Sequence, residues 1–276
     1  MVKREPKARP SRNGQSQVGN FNIRRSTIND RQSILGQTDN WVAVAKPAGL
    51  AVIPGRAETD SVLEALGRQL GLPSSGSADP RIRVVHRLDK ETTGVLLFAT
   101  NVATQRCLGH QFQNNIVEKQ YLAIVVGRVE QDEGDIQTQI GSHPTSPLKM
   151  AVVKHGGRPA RTRYRVEQRY RQFTLVRLFP QTGKTHQIRV HMAHLGHPLA
   201  VDPLYYAGRN TDGLFLSSFK RNYRSTLGEE ERPLISRLPL HAASLAFRDI
   251  DGARVTIEAP LPKDFRAAIN MLGKHG

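Results

Sequence analysis

The run Val95-Leu96-Leu97-Phe98-Ala99 contains no polar residue, and it follows directly on the largely polar stretch His86-Arg87-Leu88-Asp89-Lys90-Glu91-Thr92-Thr93-Gly94. An apolar run this short fits a strand buried on both faces rather than a helix. The chain is therefore expected to fold around a sheet with a buried centre, and the polar stretch falls at the mouth of that sheet. Arg87 and Asp89 are two positions apart, so in extended backbone their side chains point the same way. A carboxylate beside a cation stays ionised and can serve as a nucleophile or a base. The spacing alone also fits an exposed ion pair in a loop.

The remaining pattern adds strands and a few helices. Residues 41–45 (Trp-Val-Ala-Val-Ala) read as a strand that opens the globular part, stopped by Lys46-Pro47-Ala48-Gly49. Residues 60–70 read as a short helix, capped by Asp60 or Ser61, with Leu63, Leu66 and Leu70 on one face. Residues 71–80 are rich in Pro, Ser and Gly and read as a loop. A short strand over 81–85 leads into the polar stretch. Asn101 can cap a helix carrying Leu108 and Phe112, on which Cys107 reads as a small core residue. Residues 121–126 form another buried strand. Arg161, Arg163 and Arg165 alternate with Thr162, Tyr164 and Val166, the period of a strand with one basic face. Strands over 173–179, 240–247 and 255–257 close the fold. Strands outnumber helices, so the expected class is α+β: a mixed, largely antiparallel sheet with flanking helices.

Charge narrows the partners. The formal net charge is +16 over 276 residues, which favours a polyanion, because Lys and Arg gain free energy by displacing counterions condensed on phosphates. Residues 1–35 hold eight basic residues (Lys3, Arg4, Lys7, Arg9, Arg12, Arg24, Arg25, Arg31) against Glu5 and Asp30. Sparse apolar residues there suggest a disordered basic tail, ahead of a catalytic domain over 36–276. The single cysteine, Cys107, excludes an internal disulfide and fits a reducing compartment. No apolar window reaches the ~18 residues of a spanning helix, and no secretory core opens the chain. A cytoplasmic protein without a membrane partner is expected, with an Arg-rich mitochondrial presequence as the alternative.

The polar stretch closely resembles the signature of the RluA family of pseudouridine synthases: His-Arg-Leu-Asp, two variable residues, then usually Thr-Ser-Gly before an apolar run. Thr93 stands where Ser is usual and keeps the hydroxyl. The resemblance implies Asp89 as the catalytic aspartate and Arg87 as the residue occupying the space of the extruded base. Three further blocks match in the family's order. Lys119-Gln120-Tyr121 resembles the Lys-x-Tyr element, whose tyrosine stacks on the target base. Residues 182–198 contain a helix that Thr185 can cap, with Ile188, His191, Met192 and Leu195 at helical spacing and His186 and Arg189 on another face. The resemblance gives Arg189 the role of pairing with Asp89. Lys184 stands where an arginine is common, keeping the charge without the bidentate fork. Leu240-His241-Ala242 resembles the closing Leu-His-Ala segment and sets Leu240 near the uracil. The resemblance covers residues 40–265 and implies the pseudouridine synthase fold, with its loops forming a catalytic cleft.

The implied reaction isomerises a uridine in structured RNA, ribosomal or transfer, with Asp89, Arg189 and Tyr121 in the chemistry. Arg87, His86, Lys184, His186 and Leu240 are expected to bind substrate RNA. The competing class is a non-catalytic RNA-binding protein that keeps the synthase fold, and a third is a glycoside-cleaving enzyme that releases free base. No cofactor is expected, since no phosphate-cradling loop with Lys-Ser or Lys-Thr precedes a helix. His186, His191, His194 and His197 lack the spacing of a zinc-protease helix, so no metal is expected. Residues 207–238 read as a polar, Arg-containing insertion, and nothing in the pattern suggests pairing, so a monomer is expected.

Overall fold

The computed structural model describes residues 33–55, 60–74, 76–208, 212–224 and 230–276. All but three residues of the basic tail lie outside them. The strands are β1 (Ser33–Gln37), β2 (Trp41–Lys46), β3 (Arg83–Val84), β4 (Thr93–Ala99), β5 (Glu118–Val126), β6 (Glu133–His143), β7 (Ser146–Val152), β8 (Arg158–Arg169), β9 (Phe173–Pro180), β10 (Leu240–Arg248) and β11 (Arg254–Glu258). The helices are α1 (Val62–Leu70), α2 (Val102–Gln113), α3 (Gln187–His194) and α4 (Lys263–His275). The α+β expectation holds. One mixed sheet runs in the order β1-β2-β4-β10-β5-β9-β8-β6-β7, with β3 also on β4 and β11 also on β10. Every pairing is antiparallel except β4 with β10.

That one parallel contact lies at the centre of the sheet. Thr93 faces His241 and Gly94 faces Ala242. Gly94 has φ +116°, and a Cβ there would sit 2.1 Å from the Ala242 carbonyl oxygen. Only glycine allows this approach. All seven residues of β4 are buried, as an unbroken apolar run in a two-sided core requires. Its side chains alternate: Leu96 and Phe98 pack with Leu63 and Leu66 of α1, while Val95 and Leu97 pack with Leu108 of α2. Strand β5 repeats the arrangement, with Ala123 and Val125 towards Ile188 and Met192 of α3 and Leu122 and Ile124 towards Phe265 and Leu272 of α4. Each such apolar side chain contributes roughly 1.5–3 kcal/mol on burial. Helices α1 and α3 thus share one face of the sheet, and Tyr121 packs against the cores beneath both.

Several elements differ from the expectation. Strand β1 precedes Trp41 and pairs antiparallel with β2, so the folded part begins before the predicted start. It is a mostly exposed edge strand, whose sequence carries little apolar pattern. Strands β6 and β7 form a hairpin that composition does not announce: along β6 only Ile136 and Ile140 are buried. The chain closes on α4 rather than on β11; Phe265, Ala268 and Leu272 of α4 are buried. Cys107 is half-buried on α2 and accepts a hydrogen bond from Gln111, not a core residue. Within 207–238 the described parts are not merely polar. Leu214 bridges Ile235, and both join Phe219 in the core beside α4.

Candidate active site

The polar stretch forms a loop between β3 and β4, and its backbone is pinned from both sides. The Thr92 N–H donates to the Asp89 carbonyl at 3.0 Å, and the Gly49 N–H donates to the Lys90 carbonyl at 3.0 Å. Lys46 is almost wholly buried, and its ammonium donates to the carbonyls of Pro47 and Lys90 at 2.7 Å each. Burial lowers the Lys46 pKa to about 7, against the opposing pull of Glu91 and Asp89. On the other side His86 stacks on Phe112, with ring centroids 4.5 Å apart. Its Nε2 accepts the Leu97 N–H at 3.0 Å. That bond fixes the neutral tautomer with the proton on Nδ1. Burial, then the charge of Lys119, pushes the His86 pKa down to about 3. His86 therefore wedges the loop against the sheet and leaves only Nδ1–H for a ligand.

A cavity of about 670 Å³ opens at this loop, and all eight residues singled out in the sequence line it: His86, Arg87, Asp89, Tyr121, Lys184, His186, Arg189 and Leu240. They come from segments up to 154 residues apart, brought together because β4, β10 and β5 are neighbours. Arg189 Nη1 lies 3.5 Å from Asp89 Oδ2. The cation beside Asp89 is thus Arg189. Arg87 lines the same cavity, exposed, and makes no ion pair with it among the described residues.

Arg189 is itself held by a residue that the sequence pattern did not flag. Asp202 is fully buried and receives Nε at 2.8 Å and Nη2 at 2.7 Å, a bidentate pair. Asp202 Oδ1 also accepts the backbone N–H groups of Leu204 and Tyr205. The Arg189 guanidinium lies over the Tyr205 ring, 5.0 Å from its centroid. The Tyr205 hydroxyl accepts the Met150 N–H at 2.8 Å and lies 2.8 Å from His186 Nδ1. Arg189 can turn little within this frame, and what remains for Asp89 is Nη1. Asp202 directly follows the apolar run Leu199-Ala200-Val201, the one local signal that could have pointed to it.

Tyr121 faces the cavity from β5, and burial, then the Asp89 carboxylate, raises its pKa. Its hydroxyl stays protonated and makes no protein hydrogen bond among the described residues. The helix bearing Arg189 does not start as expected. His186, not Thr185, precedes it, with φ 56° and no side-chain cap. Gln187 organises the turn instead: its Oε1 accepts from the Thr182 hydroxyl at 2.7 Å and the Lys184 N–H at 3.0 Å, and its Nε2 donates to Arg161 O and Thr162 Oγ1. This left-handed step turns His186 into the cavity. The neighbouring histidines have separate partners: His191 sits between Thr138 and Thr162, and His197 Nδ1 lies against the Val126 carbonyl. Leu195, placed on the apolar stripe, is 38 % exposed.

The basic strand β8 lies differently from the cavity. Thr162 and Tyr164 are buried towards α3, so Arg161, Arg163 and Arg165 point to the opposite face. Arg161 is paired with Asp135, and Arg165 shares Glu167 with Arg177.

Residues 40–194 match the model of a family described as RNA pseudouridylate synthase. The chain is 39% identical over 240 residues to the ribosomal large subunit pseudouridine synthase D of Neisseria meningitidis, covering 87% of this chain and 60% of that protein. It is 38% identical to the protein of the same name from Nitrosomonas europaea, covering 87% and 64%, and 34% identical to that of Escherichia coli, covering 87% and 70%. The chain thus spans about three-fifths of the length of the first two. Among solved structures, human RNA pseudouridylate synthase domain containing 4 superposes with a TM-score of 0.65 at 26% identity, covering 87% of this chain and 93% of that one.

Proposed function

The chain belongs to the RNA pseudouridylate synthase family, and from that premise we propose that it isomerises uridine to pseudouridine in large-subunit ribosomal RNA, with Asp89 as the catalytic carboxylate. The observation that carries the reading is the Asp89–Arg189–Asp202 chain set beside the free Tyr121 hydroxyl in one cavity. In the reaction the N1–C1′ bond breaks, the uracil turns, and a C5–C1′ bond forms. The C5 proton leaves and N1 regains one, so no redox partner or energy donor is required. Asp89 supplies the anionic oxygen for the glycosidic step. Arg189 aims it, through the contact of its Nη1 with Asp89 Oδ2 at 3.5 Å. Tyr121 offers a stacking face to the base, and Leu240 closes the apolar side.

A uridine within folded RNA reaches such a cavity only after leaving its stack, which costs a few kcal/mol and favours a group that fills the gap. Arg87, exposed, lining the cavity and without an ion pair among the described residues, is suited to that. The ribosomal substrate follows from the names of the relatives, and transfer RNA is the comparison substrate.

The test is tritium release from RNA labelled at the uracil C5, using unmodified large-subunit ribosomal RNA and transfer RNA. We expect release from the ribosomal RNA by the wild type. Asp89→Asn is expected to lower the rate by about 10³-fold or more, in the range of a lost acid–base or nucleophilic group, with RNA affinity kept. Release by Asp89→Asn at the wild-type rate would remove Asp89 from the chemistry. Tight, salt-sensitive binding of both RNAs without release would favour the non-catalytic binding protein.

A further inference from the structure

We infer that Lys119 and Lys184 form a phosphodiester-binding subsite of the cavity, holding the RNA strand beside the Tyr121 platform. The inference rests on the reading of the chain as an RNA-acting protein and deepens it. Both lysines line the cavity. Lys119 lies two residues before Tyr121 on β5, so both side chains leave the strand on the same face, about 7 Å apart along it. Lys184 projects from the turn that Gln187 pins to β8.

The charges around them are unbalanced. Asp89 is the only carboxylate among the residues lining the cavity, and it faces Arg189. The Lys119 ammonium donates to the Thr182 carbonyl at 3.3 Å, which leaves two of its three donors unused. The Lys184 side chain makes no hydrogen bond or ion pair among the described residues. Burial, then the charge of Lys184, lowers the Lys119 pKa to about 8, as expected of two cations held together without an anion. His86, the other titratable ring beside Lys119, is held neutral and supplies no compensation. A bound phosphodiester relieves both the desolvation and the mutual repulsion. The turn fixes Lys184 relative to β5, so the pair is already in place when the strand arrives.

The experiment measures the affinity of unmodified large-subunit ribosomal RNA as a function of monovalent salt for the full chain. Wild type is compared with Lys119→Gln, Lys184→Gln, their combination, and the two Lys→Arg variants, each first checked by thermal unfolding. For a single-stranded contact, each lost cation flattens log Kd against log salt by about 0.7 and weakens binding about fourfold at 0.15 M salt. The double variant is expected to lose about twice that slope, and the Arg variants to keep it. An unchanged slope in the double variant overturns the subsite. Arg variants as defective as the Gln variants also overturn it, because the loss then follows shape rather than charge. Tritium release by the wild type, measured in parallel, separates the two readings. Isomerisation with an unchanged slope removes only the subsite, whereas a flattened slope without isomerisation removes only the enzymatic reading.

Discussion

The two ends of the cavity handle positive charge in opposite ways. At one end Arg189 is 7 % exposed, bidentate to Asp202, stacked on Tyr205 and in reach of Asp89. At the other, Lys119, Lys184 and Arg87 line the same space with no carboxylate of their own. A buried cation survives only when paired and hydrogen-bonded, so Arg189 is a fixed part of the protein that orients another group. Burial and the neighbouring Lys184 penalise the charge on Lys119, and a polyanion bound there relieves that penalty while releasing its own counterions. Arg161 and Arg165 of β8 make a third case, exposed yet matched by Asp135 and Glu167. Net charge alone does not distinguish these surfaces; the pairing of the charges does.

Several experiments would break or sharpen this contrast. The largest effect is expected at the compensated end. Asp202→Ala leaves Arg189 buried without its main partner, and losing one member of such a pair costs about 3–5 kcal/mol. Urea unfolding reads this directly, and a loss in kcat is expected alongside, since Arg189 is then free to swing onto Asp89. Wild-type stability in this variant would mean that the pair is ornamental. Gly94→Ala tests the frame that carries both ends. A methyl against the Ala242 carbonyl is expected to cost about 1–3 kcal/mol or more through strain and backbone shift, lowering thermal stability whatever happens to RNA binding.

A smaller effect is expected from pH. Burial depresses the pKa of His86 to about 3 and of His191 to about 4, and lowers those of His186 and His241. In the unfolded chain these groups titrate near 6.5, so on acidification the unfolded state takes up protons first. The contribution of these histidines to stability is full above about pH 6.5 and drains as pH falls towards the folded values. The urea midpoint is expected to drop already between pH 6.5 and 5, above the carboxylate range, and His191→Gln is expected to shallow that drop. A midpoint flat across this interval would contradict the depressed values. The smallest effect belongs to the back of the sheet. Neutralising Arg161 and Arg165 together is expected to change RNA affinity by about twofold at most, because exposed, partnered charges contribute little. A change in salt slope as large as that of the lysine pair would erase the distinction drawn between the two surfaces.

The parts of the molecule that sequence made legible share a property: their signal is local. The apolar run of β4, the caps Ser61 and Asn101, and the alternation along β8 each state a periodicity within one segment. The C-terminal helix α4 was missed although Phe265, Ala268 and Leu272 fall at helical spacing, because it follows a strand pattern that reads as an ending. The β6–β7 hairpin was not, because an edge hairpin half open to solvent needs few apolar residues. The start of α3 was missed for another reason. Thr185 has the chemistry of a cap, but the side chain of Gln187 takes the turn's hydrogen bonds and sends His186 into left-handed backbone.

By itself the sequence determined the α+β class, the central buried strands, the loop before β4 and, through the order of its motifs, the eight residues that line one cavity, because apolar period and motif order are written along the chain. Only the tertiary structure decided which charges are spent. It joined Arg189 to Asp202, turned the arginines of β8 to the far face, committed His86 Nε2 to the backbone, and set Lys119 and Lys184 in one cavity with no carboxylate of their own. Pairing depends on distance and burial in three dimensions, and neither is a function of spacing along the chain.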